Sequence, residues 1–159
     1  MTVQSELLMR RPPEAGLDLI LSVLLTREVL AGVLDSQLFG PFEVTDQQFN
    51  VLRILRGGPE EGYTVAELRR RLLHRSADAV RLVDRLVRQG LVERGEHPGD
   101  RRASLVRLTA AGRSLHEHLE APHQAICARI GELLPAQDRI RLVALLEQLR
   151  TGLRRFPGT

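Results

Sequence analysis

Tryptophan and lysine are absent from this 159-residue sequence, aromatic residues make up only 3% of it, and there is a single cysteine. With so few aromatic side chains, the core must consist mostly of leucine, valine, isoleucine and alanine, which favours packed helices over a β-sandwich. One cysteine, Cys127, excludes an intramolecular disulfide framework and fits a reducing compartment. The hydrophobic share of 43% is typical of a soluble globular chain of about one domain.

Signals for targeting and membrane insertion are also lacking. Residues 1–11 contain no apolar run behind a cationic stretch, so we predict no signal peptide and a cytoplasmic location. The apolar segment 17–38 contains four charged residues, which would be costly in hydrocarbon. We therefore predict a buried interface helix there rather than a membrane span.

Motifs of common enzyme classes are missing as well. The chain has no glycine-rich phosphate loop, no HExxH motif and no G-x-S-x-G motif, and its serine, histidine and aspartate residues lack the arrangement of a catalytic triad. We predict that it is not an enzyme and that it binds no cofactor.

Charge is distributed unevenly. All 23 basic residues are arginine, and from Arg53 to Arg107 there are 13 arginines and 8 acidic residues, a net charge of +5, whereas the remainder carries −2. A central basic segment is the electrostatic footprint expected of a protein that binds a phosphate backbone. A solvated arginine-rich surface is the alternative, which the imbalance alone does not exclude.

Four segments are distinguished along the chain. Residues 1–14 are predicted to be a flexible arm, and residues 15–40 an amino-terminal dimerisation helix that ends at Gly40-Pro41. Its apolar residues occupy more than one face, so part of it is expected to pack on another subunit. Residues 45–109 are predicted to form a DNA-binding domain, and residues 110–155 two further helices.

The middle segment has the pattern of a helix-turn-helix. Thr45 with Gln48, and Thr64 with Glu67, have capping-box spacing, in which each side chain bonds the backbone N–H of the other residue. A third helix is predicted to start near Ser76. Its apolar residues at helical spacing are Ala79, Leu82, Val83 and Leu86. Short helices in close succession, the last flanked by arginines, are typical of this motif.

A β-hairpin is predicted directly after the third helix. Residues 91–94 and 104–108 alternate as two strands, with Val106 and Leu108 facing inward, and residues 96–100 supply the turn. A helix of this kind followed by a ribbon with arginines at its end suits a protein that places one element in each of two adjacent DNA grooves.

Two further helices are predicted after the hairpin. Thr109 is expected to cap a helix running toward Leu134, which Pro122 should kink or divide. Pro135 suits the first turn of a last helix. The predicted buried side of that helix consists of Ile140, Leu142, Val143, Leu146, Leu149 and Leu153.

The motif residues and the order of these elements resemble those of the MarR family of bacterial transcription regulators. No single piece is specific, but all of them occur in order and at the right gaps. The matching residues are Thr45-x-x-Gln48-x-x-x-Leu52-x-x-Leu55, Glu67-Leu68, Leu82-Val83-Asp84-Arg85-Leu86, Gly90-Leu91-Val92-Glu93-Arg94, Asp100-x-Arg102 and Val106-x-Leu108-Thr109-x-x-Gly112. The sequence departs from the family pattern at Arg69, Leu73, Arg75 and Val80, which affects the base-reading set and makes Ser76 the better cap candidate.

The resemblance implies a mainly α fold with a small two- or three-stranded β-wing, six helices and an intertwined homodimer. The partner would be a second copy, held through residues 17–38 and 110–155, together with double-stranded DNA carrying a pseudo-palindromic operator. It also implies repression that a small aromatic or phenolic effector relieves. The alternatives left open are a winged-helix protein-interaction module without DNA binding, a ligand-insensitive architectural DNA binder, and a redox- or metal-responsive regulator.

Candidate DNA-contacting residues lie on the recognition helix. With the apolar stripe turned inward, the outward residues are Ser76, Ala77, Asp78, Val80, Arg81, Arg85 and Arg88. Arg81 is the best base reader because a guanidinium can bond two acceptors on guanine, and Val80 could lie against a thymine methyl. Ser76 at the helix start suits a phosphate. The alternative for the arginines is solvation or an intrahelical pair, such as Arg81 with Asp84.

In the wing, the family match implies that Arg102 enters the minor groove and that Asp100 pairs with it and orients it. Arg101 is expected to contact phosphate, and a narrow A·T-rich groove would strengthen the inserted arginine. A metal site is not predicted, because His116, His118 and His123 include no pair at ligand spacing. Only His116 with Glu120, and His123 with Cys127, have that spacing, so metal or oxidant sensing stays an alternative.

Overall fold

The computed structural model describes residues 2–73, 78–99 and 103–157 of the chain. Over these residues it forms seven α-helices and three short strands, which confirms a mainly α fold with a small β-wing. The elements are α1 (Val3–Glu6), α2 (Ala15–Leu34), α3 (Asp46–Arg56), β1 (Tyr63–Thr64), α4 (Val65–Arg71), α5 (Ala79–Arg88), β2 (Val92–Glu96), β3 (Ser104–Leu108), α6 (Ala110–Gly131) and α7 (Ala136–Leu153). The chain divides into two compact units, Met1–Leu119 and Glu120–Thr159.

The core of the first unit lies where α3, α4 and α5 meet the sheet. Each of these helices has an amphipathic pattern, and the predicted stripe of α5 is buried as a whole. The core residues are Val51, Leu52, Leu55, Leu68, Leu72, Ala79, Leu82, Val83, Leu86, Val92, Val106 and Leu108. Burying a side chain of this size stabilises the fold by about 1.5–3 kcal/mol. Because the buried residues of α5 all lie on one side of the helix, the core determines which face of α5 is exposed.

Both predicted capping boxes are confirmed. At the start of α3 the hydroxyl of Thr45 accepts from the backbone N–H of Gln48 at 3.2 Å, and the backbone N–H of Thr45 donates to Gln48 Oε1 at 2.9 Å. At the start of α4 the same reciprocal bonds join Thr64 and Glu67. Each box satisfies backbone donors that have no partner within the helix.

The predicted start of the third helix is corrected. Helix α5 begins at Ala79, and its N-cap is Asp78, whose carboxylate accepts from the backbone N–H of Arg81 at 3.2 Å. Ser76 was the predicted cap; aspartate is an equally good N-cap residue, and Asp78 takes this role in the structure. Ser76 and Ala77 lie outside the described residues.

The sheet is antiparallel, with strand order β1-β3-β2. Strand β3 has the predicted bounds and pairs along its whole length with β2, from Val92 opposite Leu108 to Glu96 opposite Ser104. Strand β2 therefore begins one residue later and ends two residues later than predicted. The inward orientation of Val106 and Leu108 is confirmed, since both are buried.

The amino-terminal segments differ from expectation in detail. The arm contains the short helix α1, capped by Thr2, which is the helix beyond the six that were predicted. Helix α2 ends at Leu34, before the predicted end at Gly40-Pro41, and the chain continues through a π turn, Asp35–Phe39, and a 3₁₀ turn, Gly40–Phe42. Leu38 and Phe39, which lie in the π turn, are buried.

The carboxy-terminal helices also differ from expectation. Helix α6 runs uninterrupted from Ala110 to Gly131 and contains Pro122, so of the two predicted effects of this proline, a kink or a division, the division does not occur. Proline removes one backbone donor, which does not end a helix of 22 residues. The apolar side of α7 is not buried, with Ile140 70% and Val143 51% exposed. The second unit contains only the end of α6 and α7, which offer each other few apolar partners.

Candidate nucleic-acid interface

The outward face of α5 has the predicted composition where it is described. Val80 is 52% exposed, and Arg81, Arg85 and Arg88 are exposed, while the opposite stripe is buried. Three guanidinium groups and one small apolar side chain thus stand on a helix whose other side is fixed by the core. A helix of this kind fits the major groove, where guanidinium groups can bond guanine and apolar groups can contact thymine methyls.

Asp78 and Arg81 interact at the start of this face. Besides capping the helix, the Asp78 carboxylate forms an ion pair with Arg81 Nε at 3.2 Å, and the Arg81 side chain stays 81% exposed. Asp78 therefore has a structural role that the sequence analysis did not assign to it. The alternative pairing of Arg81 with Asp84 is not formed, because Asp84 pairs with Arg94 on β2.

The carboxy-terminal end of α5 is closed by a Schellman motif. Gly90 has φ +70, the backbone N–H of Leu91 donates to Leu86 O, and that of Gly90 donates to Val87 O. A second link joins the end of this helix to α3, because the Gln48 amide donates to Gln89 Oε1 at 2.7 Å. These bonds hold the carboxy-terminal end of α5, which we call the reading helix, in addition to the burial of its apolar stripe.

Helix α6 is anchored on the same turn. The Thr109 hydroxyl donates to Gly90 O at 2.6 Å and accepts from the backbone N–H of Gly112 at 3.1 Å, which confirms Thr109 as a cap. The backbone N–H of Thr109 donates to Leu91 O at 3.2 Å. The end of α5 and the start of α6 therefore share one hydrogen-bonded junction.

Helix α4 carries arginines that the sequence analysis did not select. Arg69 and Arg70 in its last turn are exposed. Arg71 is held, with its guanidinium 4.2 Å from the centre of the Tyr63 ring and Nη1 donating to Glu67 O. In a helix-turn-helix the first helix crosses the DNA backbone. The run of three arginines at its end was the signal that could have added Arg69 and Arg70 to the candidate DNA-facing residues.

Glu67 in the same helix is electrostatically stabilised in its charged form. Its carboxylate accepts from both the backbone N–H and the hydroxyl of Thr64 at 2.8 Å. These hydrogen bonds hold the pKa of Glu67 below its ordinary value of 4.5, and the positive charge of Arg71 lowers this pKa further.

The wing hairpin carries one ion pair on each of its faces. Arg94 bonds Asp84 on α5 at 2.7 Å, and Arg107 bonds Glu93 on the neighbouring strand at 2.7 Å. The three residues predicted at the tip, Asp100, Arg101 and Arg102, lie outside the described residues. Their roles stay predictions from the sequence.

The histidines take separate positions on α6. His116 stacks on Phe49 with ring centres 5.9 Å apart, and His118 Nδ1 lies 2.6 Å from Ser114 O. His123 Nε2 lies 3.7 Å from Cys127 Sγ. Within the described ranges, no group of three or more histidine, cysteine or acidic residues could hold a metal ion, and no helix is long and apolar enough to span a membrane.

A cleft of about 580 Å³ opens in the first unit between α2, the π turn and the start of α3. Its apolar lining includes Leu30, Leu34 and Phe39, and its charged lining consists of Arg27, Asp35 and Asp46. This volume lies within the range typical of small-molecule sites.

A helix-turn-helix with an arginine-bearing outward face, followed directly by an antiparallel hairpin, defines a winged helix-turn-helix protein. A model of the MarR family matches residues 42–103, which is this region. The multiple antibiotic resistance protein MarR of Escherichia coli is 32% identical to the chain over 114 residues, which is 72% of this chain and 76% of that protein. The chain belongs to the MarR family of transcriptional regulators, so the predictions of the family and of a non-enzymatic role are confirmed.

Solved structures of relatives have the same fold. A mutant of E. coli MarR in complex with operator DNA is 28% identical to this chain, with a TM-score of 0.69 over 80% of this chain and 89% of the other. A MarR transcription factor from Planctomyces limnophilus is 32% identical, with a TM-score of 0.63 over 87% of this chain and 99% of the other.

Proposed function

We propose that this regulator is a cytoplasmic homodimer that binds a pseudo-palindromic operator and represses transcription until a small aromatic acid releases it. The observation that carries the proposal is the outward face of α5, where Arg81, Arg85 and Arg88 are exposed on a helix fixed from behind by the core. The operator-DNA complex of a relative with the same fold supports DNA as the partner.

Each residue of the interface has a proposed role. Arg81 bonds a guanine edge in the major groove, with Val80 against a thymine methyl, while Arg85 and Arg88 neutralise phosphates. Ser76, Ala77 and Asp78 lie at the start of the helix, next to the phosphate backbone of the DNA. In the wing, Arg102 enters the minor groove, oriented by Asp100, and Arg101 binds phosphate. Arg69 and Arg70 of α4 add phosphate contacts.

Dimerisation through α2 and the carboxy-terminal helices is supported by their exposed apolar residues. No residue of α2 or α7 is buried within the single chain, although both helices are rich in leucine and valine. Apolar surface of this extent on two long helices is typical of an interface between subunits.

An effector site is supported by the cleft beside α2. An aromatic ring fits its apolar lining of Leu30, Leu34 and Phe39, and Arg27 provides a charge for a carboxylate. The cleft lies next to α3, which bonds the end of the reading helix through Gln48 and Gln89. A ligand there is therefore positioned to influence how α5 is held.

The proposal is tested by selecting bound duplexes from a genomic library and measuring their affinity by mobility shift at several salt concentrations. Affinity should fall steeply with salt, because each neutralised phosphate releases counterions. Arg81→Ala should weaken binding by about 1–3 kcal/mol, whereas Arg113→Ala, the same change in charge outside α5 and the wing, should have a small effect. A protein that enriches no duplex would be the interaction module instead.

A further inference from the structure

The wing hairpin and the reading helix are joined by one ion pair. Arg94 Nη2 donates to Asp84 Oδ1 at 2.7 Å, and Arg94 Nη1 donates to the Ser104 hydroxyl at 3.3 Å. A single guanidinium thus connects α5 to both strands of the hairpin, because Arg94 lies on β2 and Ser104 on β3.

The alternation of side chains explains why Arg94 can reach the helix. Val92 and Arg94 lie on the same face of β2, and Val92 is buried in the core beneath the helices. Arg94 is therefore the next residue toward the tip on the face that looks toward α5. The base of the hairpin packs in the helical core through Val92, Val106 and Leu108, and Arg94 adds a charged bond to α5 nearer the tip.

Asp84 is an acidic residue on a basic surface. It lies on the exposed side of α5 among Arg81, Arg85 and Arg88, where an acidic group would repel phosphate unless it were neutralised. The ion pair with Arg94 neutralises this charge and gives the carboxylate a structural task. An exposed ion pair of this kind contributes little to global stability, so its effect is expected on geometry.

We propose that Asp84 and Arg94 are positioning residues that set the direction of the wing relative to α5 and so determine whether the wing can read the groove beside the one that α5 occupies. The inference rests on the proposed function, since it requires that both elements bind DNA. It assigns a specificity role to two residues that themselves need not touch a base.

The test uses the different information in the two grooves. The major groove distinguishes all four base pairs, whereas the minor groove distinguishes A·T from G·C but not A·T from T·A. Full-length protein and its variants are selected in parallel on one randomised duplex library. Positions where A·T and T·A are equally preferred over G·C are read by the wing, and positions that prefer one base pair are read by α5.

The variants are Asp84→Asn and Arg94→Gln, which break the same pair but change the net charge in opposite directions. The matched controls are Glu93→Gln and Arg107→Gln. They break the other ion pair of the hairpin, which has the same length of 2.7 Å but lies on the opposite face and joins only β2 to β3.

The expected result is a selective loss. Wild-type protein and both controls should prefer A·T at wing-read positions by about fivefold or more, and this preference should fall below about twofold in Asp84→Asn and Arg94→Gln. Preferences at positions read by α5 should remain in all five proteins. A loss of stability alone would lower binding to every duplex equally and would not produce this pattern.

Three results would overturn this inference and leave the proposed function standing. In the first, both Asp84→Asn and Arg94→Gln keep the A·T preference at wing-read positions. In the second, the two variants change affinity for all duplexes uniformly and in opposite directions, following their net charge, and in the third the wild type binds DNA but shows no wing-read positions. If the wild type selects no duplex, the proposed function fails and this inference fails with it.

Discussion

Gly112, in the first turn of α6, has no room for a side chain. A Cβ at this position would overlap the carbonyl oxygen of Leu91 and press on the Leu108 side chain. Because the overlap is with backbone, the start of α6 would have to move away from the turn after α5. The close approach is what allows Thr109 to bond both elements.

Gly112→Ala is therefore expected to lower the free energy of unfolding by about 1–3 kcal/mol, measured by urea denaturation. Gly16→Ala is the control, because a Cβ at Gly16 meets nothing within 4 Å, and alanine should leave stability unchanged or raise it by up to about 1 kcal/mol. Equal effects at the two positions would contradict the packing at Leu91.

Glu67 is expected to make stability depend on pH. Its folded-state pKa is below its ordinary 4.5 because the charged carboxylate accepts two hydrogen bonds from Thr64. Its contribution is therefore fully present above pH 4.5 and is lost as the pH falls through the folded value. Glu67→Gln keeps an acceptor for the capping box but cannot titrate. Unfolding measured across this window should show a steeper loss in wild type than in Glu67→Gln, and parallel curves would refute the assignment.

At the scale of elements, the junction between α5 and α6 depends on one hydroxyl. Thr109 both donates to Gly90 O and accepts from the Gly112 N–H, so Thr109→Val should destabilise the protein by about 1–2 kcal/mol. Thr109→Ser should restore most of the loss in urea unfolding. Thr151→Val is the control, since that hydroxyl only bonds Glu147 O within exposed α7 and should have little effect. A valine variant as stable as wild type would show that the backbone alone holds the junction.

Helix starts were more predictable from the sequence than contacts between elements. The capping boxes at Thr45 and Thr64 depend on residues three positions apart, so their spacing was sufficient. The apolar stripe of α5 and the whole of β3 followed from periodicity in the same way. The bond between Asp84 and Arg94 was missed because it crosses from a helix to a strand, and the sequence gives no signal for which of several arginines lies nearest. The end of α2 was misplaced because a π turn preserves the apolar pattern while changing the backbone.

At the scale of the whole molecule, the unburied apolar residues of α7 support the proposed dimer. Ile140 is 70% exposed in the single chain, so Ile140→Glu should leave a monomer folded but should dissociate the proposed dimer. Sedimentation velocity should show wild type as a dimer and the variant shifted to monomer, with weaker operator binding. Leu73→Glu is the control for sedimentation alone, because Leu73 is 76% exposed and lies in the DNA-binding domain, outside the proposed dimer helices. Wild-type protein that sediments as a monomer would refute the dimer.

The exposed face of α5 has a further consequence that follows from its chemistry alone. Its cations are arginine guanidinium groups, and the chain contains no lysine. Guanidinium groups remain protonated at any physiological pH and have no amine to acylate. Lysine acetylation, a common way to remove charge from a protein surface, therefore has no substrate on any side chain of this regulator. The positive charge of the α5 face is therefore not open to removal by this modification.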